Sequence, residues 1–229
     1  MMNKILIILG LLVINVSCVN AADLSVEQAI QQKISDIGTQ LLNTNKIDKR
    51  VVFVYSDLDK QKILDVDKAI PSGQVIVYRN IYRAIEDDNE LAAALAREII
   101  VAVKSQKGVC GGTLTALQIK AAPKKYEIVG DKRAVDYMVK AGYNPVALIT
   151  YINKTVPQKR HDFISNKNLA SRRLAIIYEY IYTKYPYYLA NNEYINNKHY
   201  QNFLLNSVSN RRLLEEKIQS GSTKKIHYE

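Results

Sequence analysis

Glu90-Leu91-Ala92-Ala93-Ala94-Leu95-Ala96-Arg97-Glu98-Ile99-Ile100-Val101 is the stretch on which the fold turns. Its first seven residues are almost all strong helix formers. Glu86, Asp87 and Asp88 stand just ahead of it, where negative charge complements the positive end of a helix dipole. From Leu91 to Val103 the residues are apolar nearly all round, which predicts a buried central helix over residues 90–104 rather than an amphipathic surface one. The loop Gly108–Gly112, which carries Cys110, closes that region.

Upstream, Ser25-x-x-Gln28 fits a capping box, and Val26, Ile30, Ile34, Ile37 and Leu41 recur at helical spacing, so residues 24–42 read as a helix. Val51–Tyr55 is a short β-branched and aromatic run, and Gln74–Tyr78 is another, entered through the turn Pro71-Ser72-Gly73. Asn80–Ile85 reads as a short helix. Downstream, helices are predicted over 126–141, 146–155 and 169–184, the first stopped by Gly142 and Asn144-Pro145 and the last by Pro186. Residues 187–219 read as two helical segments, and the last ten residues, being polar, as a frayed end. The order implies an α+β fold that is mostly helical, with a small β-sheet.

Lys4 followed by the apolar run Ile5–Val16 and by Val19-Asn20-Ala21 has the form of a secretory signal peptide over residues 1–21. Export to the periplasm or outside the cell is the expectation. Removing Lys4 from the 32 basic residues, against 22 acidic ones, leaves a mature charge of +9. Cleavage also removes Cys18, so Cys110 has no partner for an internal disulfide and stability must come from packing. Nothing beyond the leader approaches about 18 consecutive apolar residues, so no transmembrane span is expected after cleavage.

Several pieces occur in one order. Ala69–Val77, with its proline-glycine turn and strand, is followed by the helix over 90–101, by Glu127-x-x-Gly130-Asp131, by Ala141-Gly142-Tyr143-Asn144-Pro145, and by Arg172 or Arg173 after Lys167-Asn168. Together they resemble the HtpX-like zinc metalloendopeptidases (peptidase family M-forty-eight) over residues 25–185. The resemblance implies a zincin-like fold, a metallopeptidase-like domain over 24–185 and a helical, basic C-terminal extension over 186–229. It also implies an H-E-x-x-H motif at positions 97–101 and a third metal ligand at Glu127, with Asp131 supporting the site.

This chain departs from that pattern at both histidines. In H-E-x-x-H two imidazoles project from one helix face toward one zinc ion, and the glutamate between them is the general base for bound water. Here the first position is Arg97, a permanent cation with no lone pair to offer, and the second is Val101, which has no ligand atom. Glu98 keeps the general-base position, as a vestige, and Glu127 keeps the third-ligand position. One carboxylate does not make a catalytic zinc site, so no metal and no other cofactor is expected. His161, His199 and His227 lack histidine partners at helical spacing. An ion pair between Arg97 and Glu127 is expected in place of the metal, with Asp131 on the same helix face as Glu127.

Residues 151–229 hold 13 basic and 6 acidic residues and ten of the 16 tyrosines. The chain carries no recognisable nucleic-acid module, so that charge points to acidic envelope surfaces or partners, and the tyrosines to helix–helix contacts. Three functions follow. The first is a non-catalytic pseudopeptidase that binds unfolded or extended polypeptide, with Gln74–Tyr78 as a sheet edge open to strand addition. The second is an active zinc metalloendopeptidase, serving proteolysis and envelope protein quality control through an unusual site. The third is a basic, envelope-associated structural protein.

Overall fold

The computed structural model describes residues 25–59, 65–67, 73–105, 122–156 and 169–228. The expected signal peptide over residues 1–21, Pro71-Ser72, Cys110 and its loop, His161 and Lys167-Asn168 lie outside these residues. The described elements are α1 (25–44), β1 (Val52–Ser56), β2 (Asp65–Asp67), β3 (Gln74–Tyr78), α2 (Arg79–Ala84), α3 (Asp88–Ser105), α4 (Pro123–Lys140), α5 (Ala147–Thr155), α6 (Ala170–Lys184), α7 (Tyr187–Ala190), α8 (Lys198–Asn206) and α9 (Val208–Gln219). The mostly helical α+β class expected from the pattern is what the chain adopts.

Helix α3 is the central element. Asp87 caps it: its Oδ1 accepts from the Glu90 amide at 2.8 Å, and its carbonyl accepts the first helical bond from Leu91. Residues 91–96 are all buried, as are Ile99, Ile100, Ala102 and Val103. α3 packs against α4, α5 and β3, so it has no solvent face from Glu90 to Ala96. This is the all-round burial that its composition requires.

The three-stranded sheet has the order β1-β3-β2, with β1 and β3 parallel, and β2 antiparallel to β3. β3 is therefore the central strand and not an edge, which corrects the expectation that Gln74–Tyr78 is open to strand addition. Strand β2, only three residues long, carries too little pattern to be read from sequence, yet it covers Gln74–Ile76. The outer edge of β1 is also engaged. The Gln31 side chain of α1 donates to the Phe53 carbonyl at 2.9 Å and accepts from the Tyr55 amide at 2.6 Å. Its carboxamide thus bonds β1 on either side of Val54, as one residue of a parallel strand would. α1 lies so close to β1 that a Cβ on Gly38 would fall 2.4 Å from the Phe53 ring.

α4 ends as its sequence predicts. Gly142 takes φ +83°, and Tyr143 N donates to Met138 O at 2.9 Å, the closing bond of a Schellman turn. The C-terminal region forms three helices, α7 to α9, rather than two, and it shares the main core: Tyr194, Tyr200 and Phe203 pack in the same cluster as α3 and α5. The tyrosine-rich segment is spent mostly on contacts. Tyr180 and Tyr185 both donate to Asp136 of α4, and Tyr178 packs on Phe203. Tyr187 remains exposed. The chain up to Tyr228 is held in place and not frayed, because Tyr228 is buried and its carbonyl accepts from Arg172 Nε at 2.9 Å. An aromatic anchor at the penultimate position outweighs the polarity of its neighbours.

Candidate functional site

Three helices bring the expected site residues together, and a fourth adds one that was not expected. Arg97 comes from the middle of α3, Glu127 and Asp131 from successive turns of α4, and Arg173 from the first turn of α6. Tyr151 of α5 lies within electrostatic reach of both arginines. The i, i+4 spacing of Glu127 and Asp131 puts both carboxylates on the α4 face turned toward α3 and α6.

Asp131 is the hub. Arg97 Nε donates to its Oδ1 at 2.9 Å, Arg173 Nη2 to the same oxygen at 2.8 Å, and Arg173 Nε to Oδ2 at 2.8 Å. The Arg173 fork thus grips the carboxylate through two nitrogens. Arg173 Nη1 also forms an ion pair with Glu127 Oε1 at 3.1 Å. Asp131 and Arg173 are almost fully buried, whereas Arg97 and Glu127 keep 20 % and 14 % of their side-chain surface, so the cluster opens to solvent on their side.

The expected pairing of Arg97 with Glu127 is replaced by this four-residue arrangement. Asp131, expected only to support the site, takes the direct bond from Arg97, and Glu127 acts on Arg97 through its charge. Burial alone would lower the pKa of Arg97, but the charges of Asp131, Glu98 and Glu127 outweigh it and raise the value. Of the two candidate arginines, Arg173 enters the cluster, while Arg172, one residue earlier and so on another face, holds the chain end. Glu98 is half-buried, and its charge reaches Arg97 and Tyr151. Val101 is 37 % exposed and brings no polar atom. His199 lies on α8 near Glu86, far along the chain from these residues.

Tyr151 was not apparent from sequence. Its side chain is 1 % exposed, and its hydroxyl has no hydrogen-bond partner among the described residues. Burial, first, drives its pKa upward. A single tyrosine on a mostly apolar helix, one of 16 in the chain, carries no signal that would single it out.

The donor set does not fit zinc. Two guanidiniums engage the carboxylates of Glu127 and Asp131, Arg97 has no lone pair to donate, and Val101 has no polar atom. Among the described residues no group of three or more His, Cys, Asp or Glu is placed to hold a metal ion. No described helix is long and apolar enough to cross a membrane. Comparison with protein-family models, with curated proteins and with solved structures finds no match.

A second buried charge lies at the start of α3. Glu90 is fully buried and accepts from the Thr150 hydroxyl at 2.7 Å, Lys154 Nζ at 2.6 Å and the Glu86 amide at 2.8 Å. Lys154 also donates to the Ala84 carbonyl at 2.8 Å. Glu90 had read only as a helix former. The available signal was an acid at the third helical position after Asp87, facing a helix with Thr150 and Lys154 four residues apart.

Proposed function

We propose that this chain is an exported, non-catalytic relative of the HtpX-like metallopeptidases, with a zincin-like frame retained for binding unfolded or extended polypeptide. The observation that carries this reading is the bond from Arg97 to Asp131, made by the residue at the first histidine position to an acid of the E-x-x-x-D segment. The cation that a metal would supply is replaced by a covalently fixed one. A guanidinium cannot polarise a peptide carbonyl as a Lewis acid or lower the pKa of a bound water to the range a hydrolase needs. Glu98, in the general-base position, is left with no metal-bound water to activate.

Polypeptide would not add to β3, which is flanked on both sides. Among the described residues the sheet edge left without a neighbouring strand or side chain bonded to it is the outer side of β2. Nucleic acid is not part of this proposal.

Zinc analysis of the purified mature chain tests the reading. The expected result is no stoichiometric zinc, no chelator-sensitive cleavage of casein, and binding of fluorescein-labelled unfolded casein that persists at high salt. Stoichiometric zinc that disappears on Glu127→Ala, with cleavage, would overturn it in favour of an active peptidase. Polypeptide binding that vanishes with salt would leave only a basic surface protein. The double substitution Arg97→His with Val101→His tests the frame itself: it gains zinc if α3 and α4 keep the metallopeptidase geometry, and failure to gain it rejects that ancestry.

A further inference from the structure

The chain end builds a cavity that the charge cluster does not use. α9 stops at Gln219, and Gly221 at φ +62° reverses the chain, with Ser222 N bonded back to Lys217 O at 3.1 Å. The returning segment runs to Tyr228, which is pinned by Arg172. Between this segment and helices α4, α6 and α9 lies a cavity of about 350 Å³. That is the lower part of the size range of small-molecule sites.

Its walls carry three amines from three separate elements: Lys132 of α4, Lys217 of α9 and Lys225 of the returning segment. The one carboxylate in the lining, Glu179, is held by Lys217 at 2.8 Å. Asp136, one turn beyond Lys132, is already taken by Lys184, Tyr180 and Tyr185. The polar contact that Lys132 makes among the described residues is with the Tyr180 ring face, 5.2 Å from its centroid. Lys225 has no carboxylate partner among the described residues. Two of the lining cations, Lys132 and Lys225, are therefore without a carboxylate partner among the described residues, and Ile128 and Ile176 add apolar surface to the same lining.

We infer that this cavity binds a phosphate monoester, with the phosphate between Lys132 and Lys225 and a short apolar body against Ile128 and Ile176. Two uncompensated charges match a group carrying close to two negative charges at neutral pH. Lysine binds such a group as a point charge. This site is independent of the peptidase-like reading.

Calorimetric titration of the full chain with phenyl phosphate tests it. The expected result is saturable one-site binding, weakened at least tenfold by Lys132→Met and by Lys225→Met. Lys198→Met, at an exposed position on α8, leaves it unchanged. Benzyl alcohol, which lacks the anion, does not bind. Lys225 is exposed on the returning segment, so its substitution reports on the site even where Lys132→Met disturbs folding. Absence of saturable binding, equal weakening by Lys198→Met, or equal binding of benzyl alcohol overturns the proposal. A second arm separates the sources of the phosphate. Lys132-dependent sedimentation with phosphatidate-containing vesicles, and none with phosphatidylcholine alone, identifies a lipid headgroup. Binding of phenyl phosphate without vesicle binding identifies a soluble monoester.

Discussion

Two buried charge clusters are strung along α3, and they are built differently. Glu90 and Arg97 lie seven residues apart, about 10 Å along the helix. At Glu90 one carboxylate gathers an ammonium, a hydroxyl and a backbone amide, with no surface left to solvent. At Arg97 two guanidiniums meet two carboxylates, two of the four side chains reach solvent, and a neighbouring tyrosine hydroxyl has no partner among the described residues. The first cluster locks the start of α3 to α5, and each of its charged groups is fully engaged. The second is balanced in charge yet incompletely closed. Both clusters bury charge, and they differ in solvent access and in the unmet hydroxyl beside the second.

The largest expected effect comes from breaking the hub. Asp131→Asn leaves Arg173 buried against a neutral amide, and urea unfolding should register a loss of about 4 kcal/mol. Lys154→Met at the other cluster leaves Glu90 buried without its cation. A loss of about 3 kcal/mol is expected, most of it restored by adding Glu90→Gln, which keeps the bond from Thr150. If Lys154→Met costs less than about 1 kcal/mol, Glu90 is not held in a closed anchor and the contrast between the two clusters fails.

Arg97→Met should cost less, about 2 kcal/mol, because the side chain is partly exposed and Arg173 still holds Asp131. A pair of double-mutant cycles sharpens the point. Coupling of Arg97 to Asp131 should exceed its coupling to Glu127 by about 1 kcal/mol. Equal couplings would reinstate Glu127 as the main partner. The smallest effect has the opposite sign. Tyr151→Phe removes an unpartnered buried hydroxyl and should raise stability by about 1 kcal/mol. A loss of stability on that substitution would show that the hydroxyl is bonded in solution and that this cluster is as closed as the other.

Much of the fold was legible because its signals are local. The helix formers and acids around residues 86–96 place α3, Gly142 with Asn144-Pro145 ends α4 and opens α5, and Gln74–Tyr78 appears as a strand with its predicted bounds. The site was legible in part. Arg97, Glu127 and Asp131 were candidates by position, but their partners were not, because a hydrogen bond between helices depends on rotation and depth that no spacing encodes. Arg172 and Arg173 are interchangeable in sequence and differ by about 100° around α6, so one enters the cluster and the other holds Tyr228. Glu90 looked like a helix former because its burial depends on α5. β2 escaped notice because three residues cannot show a period, and missing it turned the central strand into an apparent edge.

By itself, then, the sequence determined the types of the longer elements, the central place of α3 and that Arg97 and Val101 offer no metal-ligand atom. These follow from composition, periodicity and the chemistry of single side chains, which are properties of short stretches. Only the tertiary structure decided that Asp131 is the hub, that β3 is flanked on both sides, that Glu90 is neutralised by Lys154, and that the polar chain end folds back to enclose a basic cavity. Each of these depends on which surfaces meet, whether seven residues apart, as for Asp67 and Gln74, or 64 apart, as for Glu90 and Lys154, and burial, not spacing, selects those partners.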